Sequence, residues 1–152
     1  MTNIIEWNQE EGNAYQGDIL IMPLPKDFFF SRENEVAMKD NKLILAEGEA
    51  TGHYHAIWYN PPMFRDDCLA HALETAYVSR SQGQGIAHLY QDKEAMSDLT
   101  SDPRLAVGLL VVEDATVVLR HNEHDAIRLQ PGLYYVGRQR EFTIGEVRQI
   151  AD

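Results

Sequence analysis

Apolar positions along this chain fall mainly into short runs and alternating stretches, which are typical of β-strands. Residues 17–25 contain a short apolar run and close with two prolines, which cannot donate to a strand ladder. Residues 42–59 alternate between two faces, with Gly48 and Gly52 inside the stretch. The pattern predicts one strand at 17–25 and two extended segments within 42–59, joined by a bend or bulge at the glycines.

The C-terminal third has the same character. Four short apolar segments follow one another, with turn-forming residues between them: 106–113, 115–121, 125–130 and 133–142. Strands this short and closely spaced predict a β-meander within a barrel or sandwich. The final segment begins with Thr143 and Glu146 at the spacing of a capping box, which predicts a short C-terminal helix.

Residues 60–105 interrupt the strand pattern. Within 65–80, apolar side chains recur every four residues, which predicts an amphipathic helix, and the chain that follows is rich in turn formers. We therefore predict a single, mainly β domain over residues 1–152, built as a barrel or a double-stranded β-helix-like sandwich. Residues 60–105 would form a helical and irregular insertion in it, and the short helix would end the chain.

Composition limits the possible partners. The 152 residues suit one domain with its own core, and the single cysteine, Cys68, excludes an internal disulfide. A formal charge of −11 disfavours general nucleic-acid binding, because phosphate backbones are repelled. The N-terminal segment does not have the pattern of a signal peptide, and no apolar run approaches the ~20 residues that cross a bilayer. We expect a cytoplasmic protein without a membrane or nucleic-acid partner. A homo-oligomer and a protein or small-molecule partner stay open.

Histidines provide the first candidate chemistry. His53 and His55 are two residues apart, so in a strand both imidazoles would point to one face, as a two-ligand metal arm requires. Glu49 precedes them on the same parity, and a second pair, His121 and His124, lies at a strand end. Such donors would suit a divalent Zn, Fe, Mn or Ni ion. The alternative is that the histidines hydrogen-bond to neighbouring groups and hold no metal.

Two arginines provide a second candidate site. Arg138 and Arg140 share one face of the strand predicted over 133–142. Two adjacent guanidinium groups could clamp a carboxylate or a phosphate, or contact a partner. The alternative is that they pair with some of the 24 acidic residues of the chain.

A glycine followed by H-x-H on a strand, with a β-meander later in the chain, resembles the first motif of the cupin superfamily. The resemblance implies a double-stranded β-helix in which His53 and His55 bind a metal. The match is partial: Tyr59 and Asn60 stand where the cupin motif has a glutamate, and the second cupin motif is absent.

Another resemblance is to a group of uncharacterised small bacterial proteins with three blocks: QGD, LAEGEATGH-x-H and EHDAI-x-L-x-PG-x-Y-x-V-x-RQRE. In this chain the blocks occupy residues 16–18, 45–55 and 123–141. The resemblance implies a shared surface and no established chemistry.

Two functional hypotheses follow, and neither names a catalytic residue, so whether the chain is an enzyme stays open. The first is a cupin-like metal-binding protein that uses His53 and His55, with His121 or His124 and Glu49 completing the site. The second is a non-catalytic binding or assembly module whose histidines hold no metal. The first hypothesis requires the two histidine segments to be adjacent, with their ring nitrogens directed at one point.

Overall fold

The computed structural model of the protein describes residues 4–7, 10, 12–39, 42–47, 54–58, 85–121, 123–143 and 146–149. Among them are twelve strands: β1 (Ile4–Glu6), β2 (Ala14–Gln16), β3 (Ile19–Leu24), β4 (Lys42–Glu47), β5 (Tyr54–Trp58), β6 (Ile86–Tyr90), β7 (Ala106–Glu113), β8 (Val117–Arg120), β9 (Ala126–Leu129), β10 (Gly132–Arg138), β11 (Arg140–Thr143) and β12 (Glu146–Gln149). They also include one α-helix, α1 (Lys93–Ser97), and a 3-10 turn (Pro103–Leu105).

Ten of these strands form two five-stranded sheets. Sheet I has the order β1-β9-β8-β5-β4 and sheet II the order β2-β3-β10-β7-β6, while β11 and β12 form a separate hairpin. One apolar cluster contains side chains from both five-stranded sheets, for example Leu43, Ile57 and Leu119 from sheet I and Ile21 and Leu110 from sheet II. The described chain is therefore a mainly β, sandwich-like fold with its main core between the sheets.

Sheet II is apolar on both faces. Leu110 of β7 belongs to the core between the sheets, whereas its neighbours Leu109 and Val111 pack with Tyr135 of β10 in a second cluster on the outer face. Residues of α1 and phenylalanines of the connection between β3 and β4 belong to this second cluster. The uninterrupted apolar run in β7 follows from burial on both faces, since a strand with one solvated face would alternate.

The predicted strands are confirmed except the one at 133–142, which divides into β10 of sheet II and β11 of the separate hairpin, so Arg138 and Arg140 do not share one strand. A closed barrel and a meander are not confirmed. Within the described residues the two sheets are separate, and β7 pairs with β10 while β8 pairs with β9. The connection from β7 to β8 passes from sheet II to sheet I, and it contains Asp114 with a φ of 72°. Turn signals at 114 and 131 mark the ends of strands correctly, but they do not tell which sheet the next strand joins.

Two other predictions are corrected. Residues 86–90, predicted to be irregular, form the strand β6, in which Ala87 and Leu89 are buried while His88 lies between them on the other face. The predicted C-terminal helix is wrong over 146–149, because these residues form β12 paired with β11. A one-turn helix has little intrinsic stability, whereas Thr143 and Val147 are β-branched and favour a strand. The helix predicted at 65–80 lies outside the described residues, and so does the bend at Gly48 and Gly52.

Candidate functional site

The two histidine segments meet in the interior of the protein. His55 points inwards from β5, where Ile57 pairs with Leu119 and Ala56 with Arg120 of β8. Extending this register by one residue places His55 opposite His121, and the two ring centroids lie 4.3 Å apart. Four further side chains lie around these two rings, and we call all six the histidine cluster: Gln16, Asp18, His55, His121, His124 and Arg138.

The Gln16 side chain joins the two sheets and fixes the tautomer of His55. Its Nε2 atom donates to the backbone carbonyls of Leu119, at 3.1 Å, and Asp125, at 2.9 Å. Carbonyls only accept hydrogen bonds, so Oε1 must be the atom that faces Nδ1 of His55, 2.8 Å away. Because Oε1 can only accept, His55 carries a hydrogen on Nδ1 and donates it to Gln16.

Asp18 is positioned by the tight turn between β2 and β3. Gly17 adopts a φ of 56°, which glycine reaches without a steric cost, and the backbone N–H of Gln139 donates to the Asp18 carbonyl at 2.8 Å. The Asp18 carboxylate, 1% exposed, accepts from Arg138 Nη1 through Oδ2 at 2.5 Å. Its Oδ1 atom lies 3.4 Å from Nε2 of His55. A buried carboxylate is tolerated when it is paired in this way.

The contact between His55 and Asp18 has a direct chemical consequence. With a hydrogen on Nδ1, neutral His55 presents the lone pair of Nε2 to the carboxylate of Asp18. Two electron-rich atoms at this distance repel each other unless positive charge lies on or between them. A proton on Nε2, which makes His55 an imidazolium, satisfies the pair, and so does a cation bound by both atoms.

His121 and His124 lie beside His55 as a set of rings. The centroid of His124 is 4.5 Å from that of His121 and 6.3 Å from that of His55, and its ring plane is nearly parallel to the His55 ring. Nδ1 of His121 accepts from the backbone N–H groups of Glu123, at 3.0 Å, and His124, at 3.3 Å. Neutral His121 therefore carries its hydrogen on Nε2, and neither ring nitrogen offers a lone pair to a metal in this arrangement.

The structure brings some of the predicted site residues together and leaves others undescribed. His55, His121 and His124 meet, whereas His53, Glu49 and the side chain of Arg140 lie outside the described part. Within the described residues, no three or more His, Cys, Asp or Glu side chains form a group that could hold a metal ion. Arg138 was a candidate for an external anion or partner, with pairing to an acidic residue of the chain as the alternative, and it is bound to the internal carboxylate of Asp18.

Sequence reasoning missed Gln16 and Asp18 as members of the site. Both are almost completely buried, at 2% and 1% exposure, although Gln and Asp are usually found at the surface. A signal was present, because Gln16 and Asp18 flank Gly17 immediately before the apolar run of β3. A polar residue on each side of a glycine turn was not interpreted as an inward-facing pair.

Residues 69–139 match a family model. Its description is Domain of unknown function (DUF8820). The matched range covers just under half of the chain and contains His121, His124 and Arg138, while Asp18 and His55 precede it. The match supports the expectation of an uncharacterised family and brings no cupin assignment. No curated protein and no solved structure matches the chain. Within the described residues, no helix is long and apolar enough to cross a membrane.

Proposed function

We propose that this protein is a non-catalytic binding or assembly module in which the histidine cluster joins the two sheets and holds no metal. One observation carries the proposal: His55 is completely buried, and its two ring nitrogens face Gln16 and Asp18 of the opposite sheet. The cluster therefore has its own internal partners, as a structural polar network requires.

The burial of the cluster also argues against catalysis by it. A general acid or base must come within hydrogen-bonding distance of a substrate, directly or through one water molecule. His55 is 0% exposed and Asp18 is 1% exposed, so neither presents an atom to a molecule in solution. Arg138, at 20% side-chain exposure, lies between Asp18 and the surface, where its guanidinium neutralises the carboxylate.

The test combines metal analysis with unfolding. We expect elemental mass spectrometry to find little metal in tag-free wild-type protein. In the presence of a chelator, His55→Ala should lower the free energy of unfolding by about 3–5 kcal/mol, which is the usual cost of breaking a buried ionic network. His88→Ala is the matched control, because His88 contacts Glu35 at 2.8 Å on the surface, where such pairs contribute about 0–1 kcal/mol. If His55→Ala does not fold, the same measurement is made on His55→Gln. Near-stoichiometric metal in wild type that is absent from the His55 variant would contradict the proposal.

A metal site is the second candidate function, and one observation favours it. The 3.4 Å between Nε2 of His55 and Oδ1 of Asp18 matches the roughly 3.3 Å between two ligands of one tetrahedral ion with metal–ligand bonds of about 2.0–2.1 Å. Gln16 would then orient His55 through Nδ1, and Arg138 would orient Asp18 through Oδ2, as outer-shell groups do. His53, His124 and Glu49 are the further donors proposed for Zn, Fe, Mn or Ni.

Metal uptake distinguishes the two candidates. If the second is correct, adding Zn²⁺ to chelator-treated wild type raises its melting temperature, and Asp18→Asn abolishes the rise while Glu6→Gln, a surface substitution, leaves it intact. Under the first candidate, none of Zn²⁺, Mn²⁺, Ni²⁺ or anaerobic Fe²⁺ changes the melting temperature of wild type. Binding of any of these ions that depends on both His55 and Asp18 would make the metal site the main function.

A further inference from the structure

A run of three phenylalanines, of which Phe29 is exposed and Phe28 and Phe30 are half-buried, borders a cleft on the outer face of sheet II. The cleft has a volume of about 440 Å³. We call it the aromatic cleft, and its lining includes Lys26, Asp27, Phe28, Phe29, Arg32 and Leu133. Phe29 is 90% exposed, the largest value among the large apolar side chains described. Exposed aromatic groups that border an apolar depression are characteristic of interaction sites.

The phenylalanine run is held in place by its neighbours. Phe28 and Phe30 pack against the outer cluster of sheet II, and the Phe30 ring lies 5.7 Å from that of Tyr90. The backbone N–H of Ser31 donates to the Asp92 carboxylate at 2.7 Å. Phe29 is therefore displayed from a segment anchored on both sides of it. A side chain presented in this way loses less conformational freedom on binding than one in a free loop.

The side chains that line the cleft carry a net charge opposite in sign to that of the whole chain. The lining contains two cations, Lys26 and Arg32, and one carboxylate, Asp27, whereas the complete chain has a formal charge of −11. The guanidinium of Arg32 lies over the rings of Phe30 and Tyr90, with distances to their centroids of 5.3 and 5.6 Å. This stacking holds a cation beside the apolar surface, a combination enriched at the centres of protein interfaces.

We propose that the aromatic cleft binds an acidic segment of a partner protein that carries one large apolar side chain. The apolar side chain would occupy the space beside Phe28 and Leu133 and cover Phe29, and carboxylates on either side would pair with Lys26 and Arg32. The cleft is open, and Phe29 stands out from it, so a chain segment lying across the surface buries this ring better than a small molecule inside the depression. The inference rests on the proposed function, because it names the partner of the binding module.

A peptide selection tests this inference with the full chain. Octapeptides selected from a random phage-displayed library on wild-type protein are expected to share an aromatic residue or leucine flanked by Asp or Glu. In fluorescence anisotropy, a synthetic peptide of that consensus should bind Phe29→Ser and Arg32→Glu about tenfold or more weakly than wild type, as for loss of a hot-spot contact. A peptide with Lys in place of one flanking acid should recover affinity for Arg32→Glu. The control is Met38→Ser, because Met38 is 51% exposed and does not line the cleft.

Several results would overturn the inference. These are the absence of a consensus, a basic consensus, or equal affinity of the peptide for wild type and Phe29→Ser. If wild type forms a dimer that Phe29→Ser dissociates, the cleft joins two copies of this chain and the acidic-partner assignment is wrong. Metal analysis and the unfolding of His55 variants do not depend on this cleft. If the peptide selection fails while the metal analysis and the His55 variants give the expected results, only this inference is wrong. Stoichiometric metal in wild type would instead contradict the proposed function.

Discussion

The histidine cluster and the aromatic cleft both contain aromatic rings and cationic side chains, but they differ in their access to water. In the cluster, His55 and Asp18 are buried and face each other and their neighbours across the two sheets. In the cleft, Phe29 and Arg32 lie on the outside of sheet II with much of their surface free. Because the histidine cluster is buried, its polar groups must pair with one another, and these contacts stabilise the fold. The aromatic cleft lies on the surface, so its side chains can contact a partner.

Two aspartates show the same contrast. Asp18 is buried, and its main partners are the charged or chargeable side chains of Arg138 and His55. Asp92 is half-buried, and it accepts from the backbone N–H groups of Ser31 and Ala95, at 2.7 and 3.2 Å. Loss of Asp18 would leave the half-buried guanidinium of Arg138 without its counter-charge and the buried Nε2 of His55 without its partner, while loss of Asp92 would remove hydrogen bonds to two backbone N–H groups. The two sites should therefore respond very differently to substitution.

The largest effect is expected for Asp18→Ala, which removes the carboxylate shared by Arg138 and His55. We expect the free energy of unfolding from urea denaturation to fall by about 3–5 kcal/mol, because the half-buried guanidinium of Arg138 loses its counter-charge and the buried Nε2 of His55 loses its partner. The matched control is Glu6→Gln, which breaks the 2.9 Å surface pair between Glu6 and Arg128 and should cost less than about 1 kcal/mol. Similar costs for the two variants would show that the Asp18 network contributes no more than a surface pair.

A smaller loss is expected for Gln16→Met, which keeps the shape of the side chain but removes its amide. The carbonyls of Leu119 and Asp125 lose their donors, and Nδ1–H of His55 loses its acceptor. Each buried polar group left in this way costs about 1–3 kcal/mol, and partial access of water to Asp125 should hold the total to about 2–4 kcal/mol. Nitrogen-15 NMR of the His55 ring should also detect the change, since wild type is predicted to carry its hydrogen on Nδ1. An unchanged ring tautomer in Gln16→Met would show that other contacts determine it.

The third prediction concerns pH and the anchor of the aromatic cleft. Hydrogen bonds from the backbone N–H groups of Ser31 and then Ala95 hold the pKa of Asp92 below its ordinary value of 3.8. Because the folded-state pKa is the lower one, the stabilisation is complete above 3.8 and disappears as the pH falls through the folded-state value. Asp92→Asn should therefore be less stable than wild type at neutral pH, and the difference should shrink in acid. Urea unfolding at neutral pH and well below 3.8 measures it, and a constant difference would contradict the assignment.

The sequence predicted the local elements better than their arrangement. Alternation and apolar runs located the strands β3, β4, β5 and β7–β10, because the order of apolar and polar residues in each segment depends on whether one or both of its faces are buried. Pairing of β7 with β10 across two intervening strands is a long-range property, and the turn at Asp114 contains no information about it. The short strand β6 was missed because only five residues form it and His88 interrupts its apolar character.

For the candidate site, the sequence identified the imidazoles but not their partners. The H-x-H spacing predicted one common strand face for His53 and His55, of which His55 is described and buried, and the proximity of His55 to His121 follows from the pairing of β5 with β8. Gln16 reaches His55 from the other sheet, 39 positions away in the chain, so no local pattern could connect them. Arg138 had two predicted roles, contact with an external anion or partner and pairing with an acidic residue of the chain, and its contact with Asp18 is of the second kind.

The smallest effect on stability is expected at the aromatic cleft, where Phe29→Ser separates binding from folding. Phe29 is 90% exposed and contributes little to the core, so its replacement should change the free energy of unfolding by less than about 0.5 kcal/mol. The same substitution should weaken binding of the acidic peptide about tenfold or more, because the ring is the main apolar surface available to the partner. Urea denaturation and anisotropy on the same preparation measure both quantities. A loss of stability comparable to that of Gln16→Met would mean that Phe29 stabilises the fold. The contrast between a histidine cluster that pairs internally and an aromatic cleft that is available for binding would then be wrong.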